Sequence, residues 1–133
     1  MSDVPDPDLV ELAHQMFDLA RNGETELLTA YVQEGVPADL TDSAGNTLLM
    51  LAAYHGHADT VRALTAHGAH PDRVNDQGQS PLAGAVFKDE QDVVRALLDA
   101  GADPDLGSPT ARETAAMFGR ADLFDRLGTP HEG

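Results

Sequence analysis

Apolar residues at Leu9, Leu12, Ala13, Met16, Phe17 and Ala20 recur every three to four positions, the spacing that places them on one face of a helix. Asp6 or Asp8 offers this helix an N-cap. Pro7 suits the first helical position after Asp6, while Asp8-Leu9-Val10-Glu11 has the spacing of a capping box. The helix is expected to run to about Asn22, with Gly23 as its C-terminal stop. A second helix is expected over about 25–33, with Leu27, Leu28, Tyr31 and Val32 turned inward and Gly35 closing it.

The same two-helix rhythm then returns. Asp42-Ser43-Ala44-Gly45 reads as a tight turn in which Gly45 takes positive φ. Thr47 caps a short helix over 48–55, Gly56-His57 breaks it, and 58–67 form the next helix, with Val61 and Leu64 inward and Arg62 outward. Gly68 ends that helix as a left-handed cap and Pro71 prevents any continuation. After Asn75-Asp76-Gln77-Gly78, Ser80-Pro81-Leu82 opens a helix to about Phe87, and its partner runs over about 91–100 with Val94, Leu97 and Leu98 inward and Gly101 at its end. Helices of two to three turns are too short to stand alone, so their apolar sides must be buried against neighbouring copies.

These copies share a fixed offset of 33 residues. Gly45 falls on Gly78, Thr47 on Ser80, Leu49 on Leu82, Ala52 on Ala85 and Val61 on Val94. Arg62-Ala63-Leu64 falls on Arg95-Ala96-Leu97, Gly68-Ala69 on Gly101-Ala102, and Pro71-Asp72 on Pro104-Asp105. A period in this range marks a stacked repeat architecture. The frame extends both ways. Gly23 and Gly35 precede Gly56 and Gly68 by one period, so 8–41 is a degenerate first copy; 42–74 and 75–107 are full copies. The fourth, 108–127, has lost three residues of its leading segment and starts at Thr110, with Glu113 completing a capping box and Ala115, Ala116, Gly119, Leu123, Phe124 and Leu127 in frame. A terminal copy has one neighbour only, so its outer face can be polar and its sequence atypical. Residues 1–7 read as a loose leader and 128–133 as a frayed tail.

On these residues the chain resembles the ankyrin repeat family, in its small, stand-alone, bacterial type. The family pattern stands here as Asp42, Gly45, Thr47, Leu49, Ala52, Ala53, Gly56, His57, Val61, Leu64, Gly68 and Ala69, and again as Gly78, Ser80, Pro81, Leu82, Ala85, Val94, Leu97, Leu98, Gly101, Ala102 and Asp103. The resemblance covers about 8–127. It implies an all-α fold, an α-solenoid of about four stacked helix-turn-helix pairs with short β-hairpin-like fingers. There are departures. Leu48 replaces the proline and Met50 the histidine of the first full copy; Ala83, Asp89 and Glu90 replace the histidine, glycine and histidine of the second. Gly84 stands mid-helix where the previous copy has Leu51, at about 1 kcal/mol in propensity. The third repeat is therefore expected to be the locally weakest, and a place where the surface is shaped for a purpose.

Composition narrows the function. In 133 residues there is no Cys and no Trp, which excludes a disulfide framework, thiolate chemistry and a cysteine zinc site. The acidic start, Met1-Ser2-Asp3-Val4-Pro5, has no apolar run, and no stretch is long enough to span a membrane, so a cytoplasmic location is expected. Net charge is −15, which argues against binding nucleic acid or anionic lipid. The acids are spread along the chain, as solubility demands of an extended surface.

Six histidines, His14, His55, His57, His67, His70 and His131, raise the question of a metal. His55 and His57 are two apart and His67 and His70 lie astride a helix end, neither being the i, i+4 pair of a preformed site. His67 and His70 instead suit a helix C-terminus, and His57 matches a family position that ties a loop by hydrogen bonds. No catalytic signature appears, and acid pairs such as Asp89-Glu90 and Asp103 with Asp105 fall in turns. No catalytic residue, metal or cofactor is expected, and no enzyme.

The resemblance implies a concave face made by finger tips and inner-helix ends that grips a partner protein. By position the tips are Ser43, Ala44, Asn46, Asp76, Gln77 and Gln79. The helix ends are Arg21-Asn22, Tyr54-His55, Phe87-Lys88 and Met117-Phe118, recurring at the repeat period. Tyr54, Phe87 and Met117 or Phe118 could then form an aromatic ladder suited to binding. Against this, Phe87 could equally turn inward to stack repeats, and Phe118 is expected to do so. The reading is a monomeric, non-enzymatic protein-binding module. The alternative is an acidic inhibitor or nucleic-acid mimic that occupies a basic site on its target.

Overall fold

Three of the short helices begin at a hydroxyl that replaces a missing backbone partner. Thr47 Oγ1 accepts from the Met50 N–H at 3.0 Å, Ser80 Oγ from the Ala83 N–H at 3.1 Å, and Thr110 Oγ1 from the Glu113 N–H at 2.9 Å. Glu113 Oε1 in turn accepts from the Thr110 N–H at 2.8 Å, closing a reciprocal box. Each cap is worth about 1 kcal/mol, a large contribution to helices of seven residues.

The computed structural model describes residues 7–127. It contains eight helices among the described residues: α1 Pro7–Asn22, α2 Thr25–Gln33, α3 Leu48–Tyr54, α4 Ala58–Ala66, α5 Pro81–Phe87, α6 Gln91–Asp99, α7 Ala111–Met117 and α8 Leu123–Leu127. The odd-numbered helices pack on one another in an inner row, α1 on α3, α3 on α5 and α5 on α7. Behind it, α2, α4 and α6 form an outer row. The core lies between the rows, where Leu28, Leu49, Val61, Leu64, Leu82, Val94 and Leu97 are buried and the small Ala52 and Ala85 let adjacent helices approach.

The segments before α3 and α5 are hairpin-like turns rather than strands. One is closed by Asp42 N–H to the Asn46 carbonyl and the other by Asn75 N–H to the Gln79 carbonyl, both at 3.0 Å. An isolated antiparallel bridge joins Thr41 to Thr47.

Each pair of helices also latches onto the break of the pair before it. His57 Nε2 donates to the Arg21 carbonyl at 2.7 Å, and its ring lies where a Cβ on Gly23 would stand. This is the loop-tying role expected of His57. One period on, the Glu90 carboxylate lies against Gly56 in the same way. Arg120, at the same frame position, donates to the Val86 carbonyl at 3.1 Å and to Asp89 at 2.9 Å. Asp89 itself holds φ +58°, a left-handed conformation that Gly23 and Gly56 hold in their copies. The departures at Asp89 and Glu90 thus keep the frame by other chemistry.

One inward assignment fails and two other apolar positions stand exposed, each at an end of the described stack. Leu27 is exposed, because α2 has no outer neighbour on its far side. Leu9 is exposed because the 16-residue α1 overhangs the 7-residue α3 on which it packs. Ala116 is exposed where its counterpart Val86 is buried, since α7 is the last inner-row helix among the described residues. Helix α1 starts at Pro7, so Asp8 lies inside the helix and is not its cap. Asp6, the rest of the expected leader and the tail 128–133 lie outside the described residues.

Candidate functional site

The helix ends of the inner row bring large apolar side chains to the surface. Tyr54 is 42% exposed, Phe87 55%, Met117 65% and Phe118 48%. The inward turn expected of Phe118 does not occur: its ring meets Phe87 edge-to-face, with centroids 5.6 Å apart. It remains outside because α7 is the last inner-row helix among the described residues.

The expected ladder is split. Phe87 and Phe118 form one cluster. Tyr54 belongs to another, with the His55 ring at 5.7 Å and the Lys88 ammonium 4.7 Å above its own ring. Between the clusters lies a hollow of about 310 Å³. Tyr54, Phe87, Met117 and Phe118 form its walls; Met50, Ala83 and Gly84 form its floor; Gln79, Ser80 and Pro109 border it on the finger side. Gly84 is what opens it. At the equivalent position of α3 stands Leu51, whose side chain is buried. A Cβ on Gly84 would meet Tyr54 Cδ1 at 3.7 Å, so a longer side chain there would occupy the hollow.

The finger tips divide into exposed groups and groups engaged in holding the fingers. Ser43, Ala44, Asp76, Gln77 and Gln79 are exposed. Asn46 is half-buried: its Nδ2 donates to Asp42 Oδ2 at 3.3 Å, and its Oδ1 accepts from Asn75 Nδ2 at 2.9 Å. Asn75 Nδ2 also donates to Gln79 Oε1 at 2.8 Å, and Asn75 Oδ1 accepts from the Gln77 and Gln79 N–H groups at 3.0 Å. The Asp76 N–H donates to the Ala44 carbonyl at 3.0 Å, and the Ser108 N–H to the Gly78 carbonyl at 2.9 Å. Buried Asn75 is therefore the hub that sets one finger against the next. It was visible in sequence only as the counterpart of Asp42, whose Oδ1 accepts from the Ala44 and Asn46 N–H groups at 2.9 Å.

Charge is unevenly placed. The chain has 8 Lys and Arg, and its single lysine is Lys88. Lys88 makes no ion pair among the described residues. Partial burial lowers the pKa of His55 from its ordinary value, and the neighbouring charges of His57, Arg21 and Lys88 lower it further. Of the acids next in sequence, Asp89 pairs with Arg120, whereas the Glu90 carboxylate lies against Gly56 and makes no ion pair among the described residues. Lys88 is thus the unpaired cation at this helix end, while the nearby Arg21 pairs with Asp18 at 2.9 Å. Two further histidines serve the frame: His67 Nδ1 donates to the Ala63 carbonyl at 2.9 Å near the end of α4, and His70 pairs with Asp39.

Stacked helix pairs joined by hairpin-like fingers define an ankyrin repeat protein, and the chain belongs to that family: a model of ankyrin repeats in three copies matches residues 16–108. The match stops short of α7 and α8, where the leading segment is shortened. Among relatives, ankyrin repeat protein PA3287 of Pseudomonas aeruginosa is 49% identical over 63 residues. That alignment covers 44% of this chain and 37% of the relative, so the similar stretch spans little more than a third of the relative's length. Ankyrin repeats are generally protein-interaction modules. No helix among the described residues is long and apolar enough to cross a membrane.

Proposed function

We propose that the protein is a non-enzymatic module that binds a partner protein on its concave face. The finger tips Ser43, Ala44, Asp76, Gln77 and Gln79 form one bank. The inner-helix ends Tyr54, His55, Phe87 and Lys88 form the other. Asn46 contributes by fixing finger geometry. The observation that carries the reading is the gathering of exposed Tyr54, Phe87, Met117 and Phe118 around one hollow. Large side chains left in water at an adjoining patch cost solubility, and they suit the buried centre of an interface, where truncation often costs at least ~2 kcal/mol.

The double variant Tyr54→Ala, Phe87→Ala tests it. Both side chains stand at the surface, so stability should change little. Partners captured by the wild-type chain and identified by mass spectrometry should be lost from the variant. Normal capture by the folded double variant would refute the groove. An acidic mimic would instead bind with a steep salt dependence and tolerate the double substitution.

A further inference from the structure

The hollow at Gly84 is narrower in its demands than a general protein-binding groove. Its floor and walls are largely apolar and bound a volume of about 310 Å³. Gly84, Phe87 and Lys88 stand at i, i+3 and i+4 and so lie on one side of the same helical stretch. The floor, one wall and a cation beside the opening therefore come from a single run of residues. The Lys88 ammonium rests over the Tyr54 ring, which is the opposite wall. Arg21 and His57 lie close enough to act on His55 beside it. Past the hollow, α1 and the first finger border a second depression, lined by Ala13, Phe17, Asp18, Arg21, Asp42 and Ser43. An extended occupant can therefore run on along the face beyond the hollow.

We propose that this slot takes one large apolar side chain, a leucine, methionine or phenylalanine, from within an extended partner segment, and that an aspartate or glutamate side chain next to that anchor pairs with Lys88. The inference rests on the concave face being the binding face. Charge complementarity selects this occupant. At net −15 the protein as a whole attracts basic peptides. At the mouth of the slot the Lys88 ammonium has no ion-pair partner among the described residues, so this point prefers the opposite sign to the rest of the surface.

That reversal supplies the test. The probes are three peptides: Ac-Ala-Glu-Leu-Glu-Ala-NH2 and its analogues with both glutamates replaced by glutamine or by lysine. Flanking the leucine on both sides makes the result independent of chain direction. Binding is read from backbone amide shifts of the labelled protein at fixed low salt. The glutamate peptide should shift Gly84, Phe87 and Phe118 and bind roughly two- to fivefold more tightly than the glutamine peptide, the contribution of one exposed ion pair. The lysine peptide should bind weakest at these residues. Lys88→Gln should erase the difference between the glutamate and glutamine peptides while leaving the glutamine peptide bound. Gly84→Leu, checked for an unchanged fold by its spectrum, should abolish the shifts by filling the slot. The inference is overturned if the lysine peptide binds best at the slot, if no peptide shifts it, or if Lys88→Gln leaves the preference intact. Should that happen while Tyr54→Ala, Phe87→Ala still removes a captured protein, the binding face stands and only the acidic anchor fails.

Discussion

The His57 ring lies against Gly23, so close that a Cβ on the glycine would come within 2.5 Å of Nδ1, while Nε2 holds the Arg21 carbonyl at 2.7 Å. The contact joins the first helix pair to the second. It requires two things of Gly23 at once: no side chain, and φ of +70°. Gly23→Ala should therefore cost about 1–3 kcal/mol, partly backbone strain and partly displacement of the ring. In a His57→Ala background the ring is gone, and Gly23→Ala should cost only about 1–2 kcal/mol of left-handed strain. Urea unfolding of the four chains measures the coupling. Equal costs in both backgrounds would show that the ring does not constrain the glycine.

Leu97 carries the strongest packing prediction. It is fully buried in α6, the helix that packs against both α5 and α4. Leu97→Ala should cost about 2–5 kcal/mol, the range for an interior leucine that leaves a cavity. Since the loss lies between helix pairs, thermal or chemical unfolding should show a lower midpoint. A cost below about 1 kcal/mol would mean that the pairs stack without this contact.

Glycine spacing, hydroxyl caps and apolar periodicity made the repeat legible, because each acts within one copy and recurs in the next. Thr47, Ser80 and Thr110 were readable as caps from their place before an apolar run, and the structure gives each its N–H. The site was less legible because it depends on neighbours. Phe118 looked like a stacking residue, but among the described residues no inner-row helix follows α7, and it lies beside Phe87. Gly84 looked like a weak point in a helix; only the side chains of α3 and α7 on either side turn it into the floor of a slot. Asn75 looked like a turn residue, whereas its two amide hydrogens reach Asn46 and Gln79 and make it a hub.

Gly84 leads to a prediction of opposite sign to Gly23. It sits inside α5 with ordinary helical geometry, and a methyl there would meet Tyr54 Cδ1 at 3.7 Å, normal van der Waals contact. Gly84→Ala should therefore stabilise the protein by about 0.5–1 kcal/mol through helix propensity. The midpoint of urea unfolding should rise. A fall would mean that the helix needs the glycine for packing rather than for the space above it.

His55 gives the chain a pH dependence whose sign follows from its surroundings. Partial burial, then His57, Arg21 and Lys88, hold its pKa in the folded protein below the ordinary 6.5. Above that value the imidazole is neutral in both folded and unfolded chains, and it contributes no slope. As pH falls below 6.5 the unfolded chain takes up the proton first, so the folded state loses stability through the window between 6.5 and the lower folded value. Because His55 is exposed, the effect should be small, a shallow loss rather than a collapse. His55→Gln should flatten the slope of stability against pH in that window, and the His55 ring should titrate at lower pH in the folded chain than in a short peptide of the same local sequence. Removing one of the neighbouring cations should move it back: in Lys88→Gln the His55 titration should shift upward. If His55 titrates at or above its ordinary value in the folded wild-type chain, neither burial nor the neighbouring charges disfavour its protonated form.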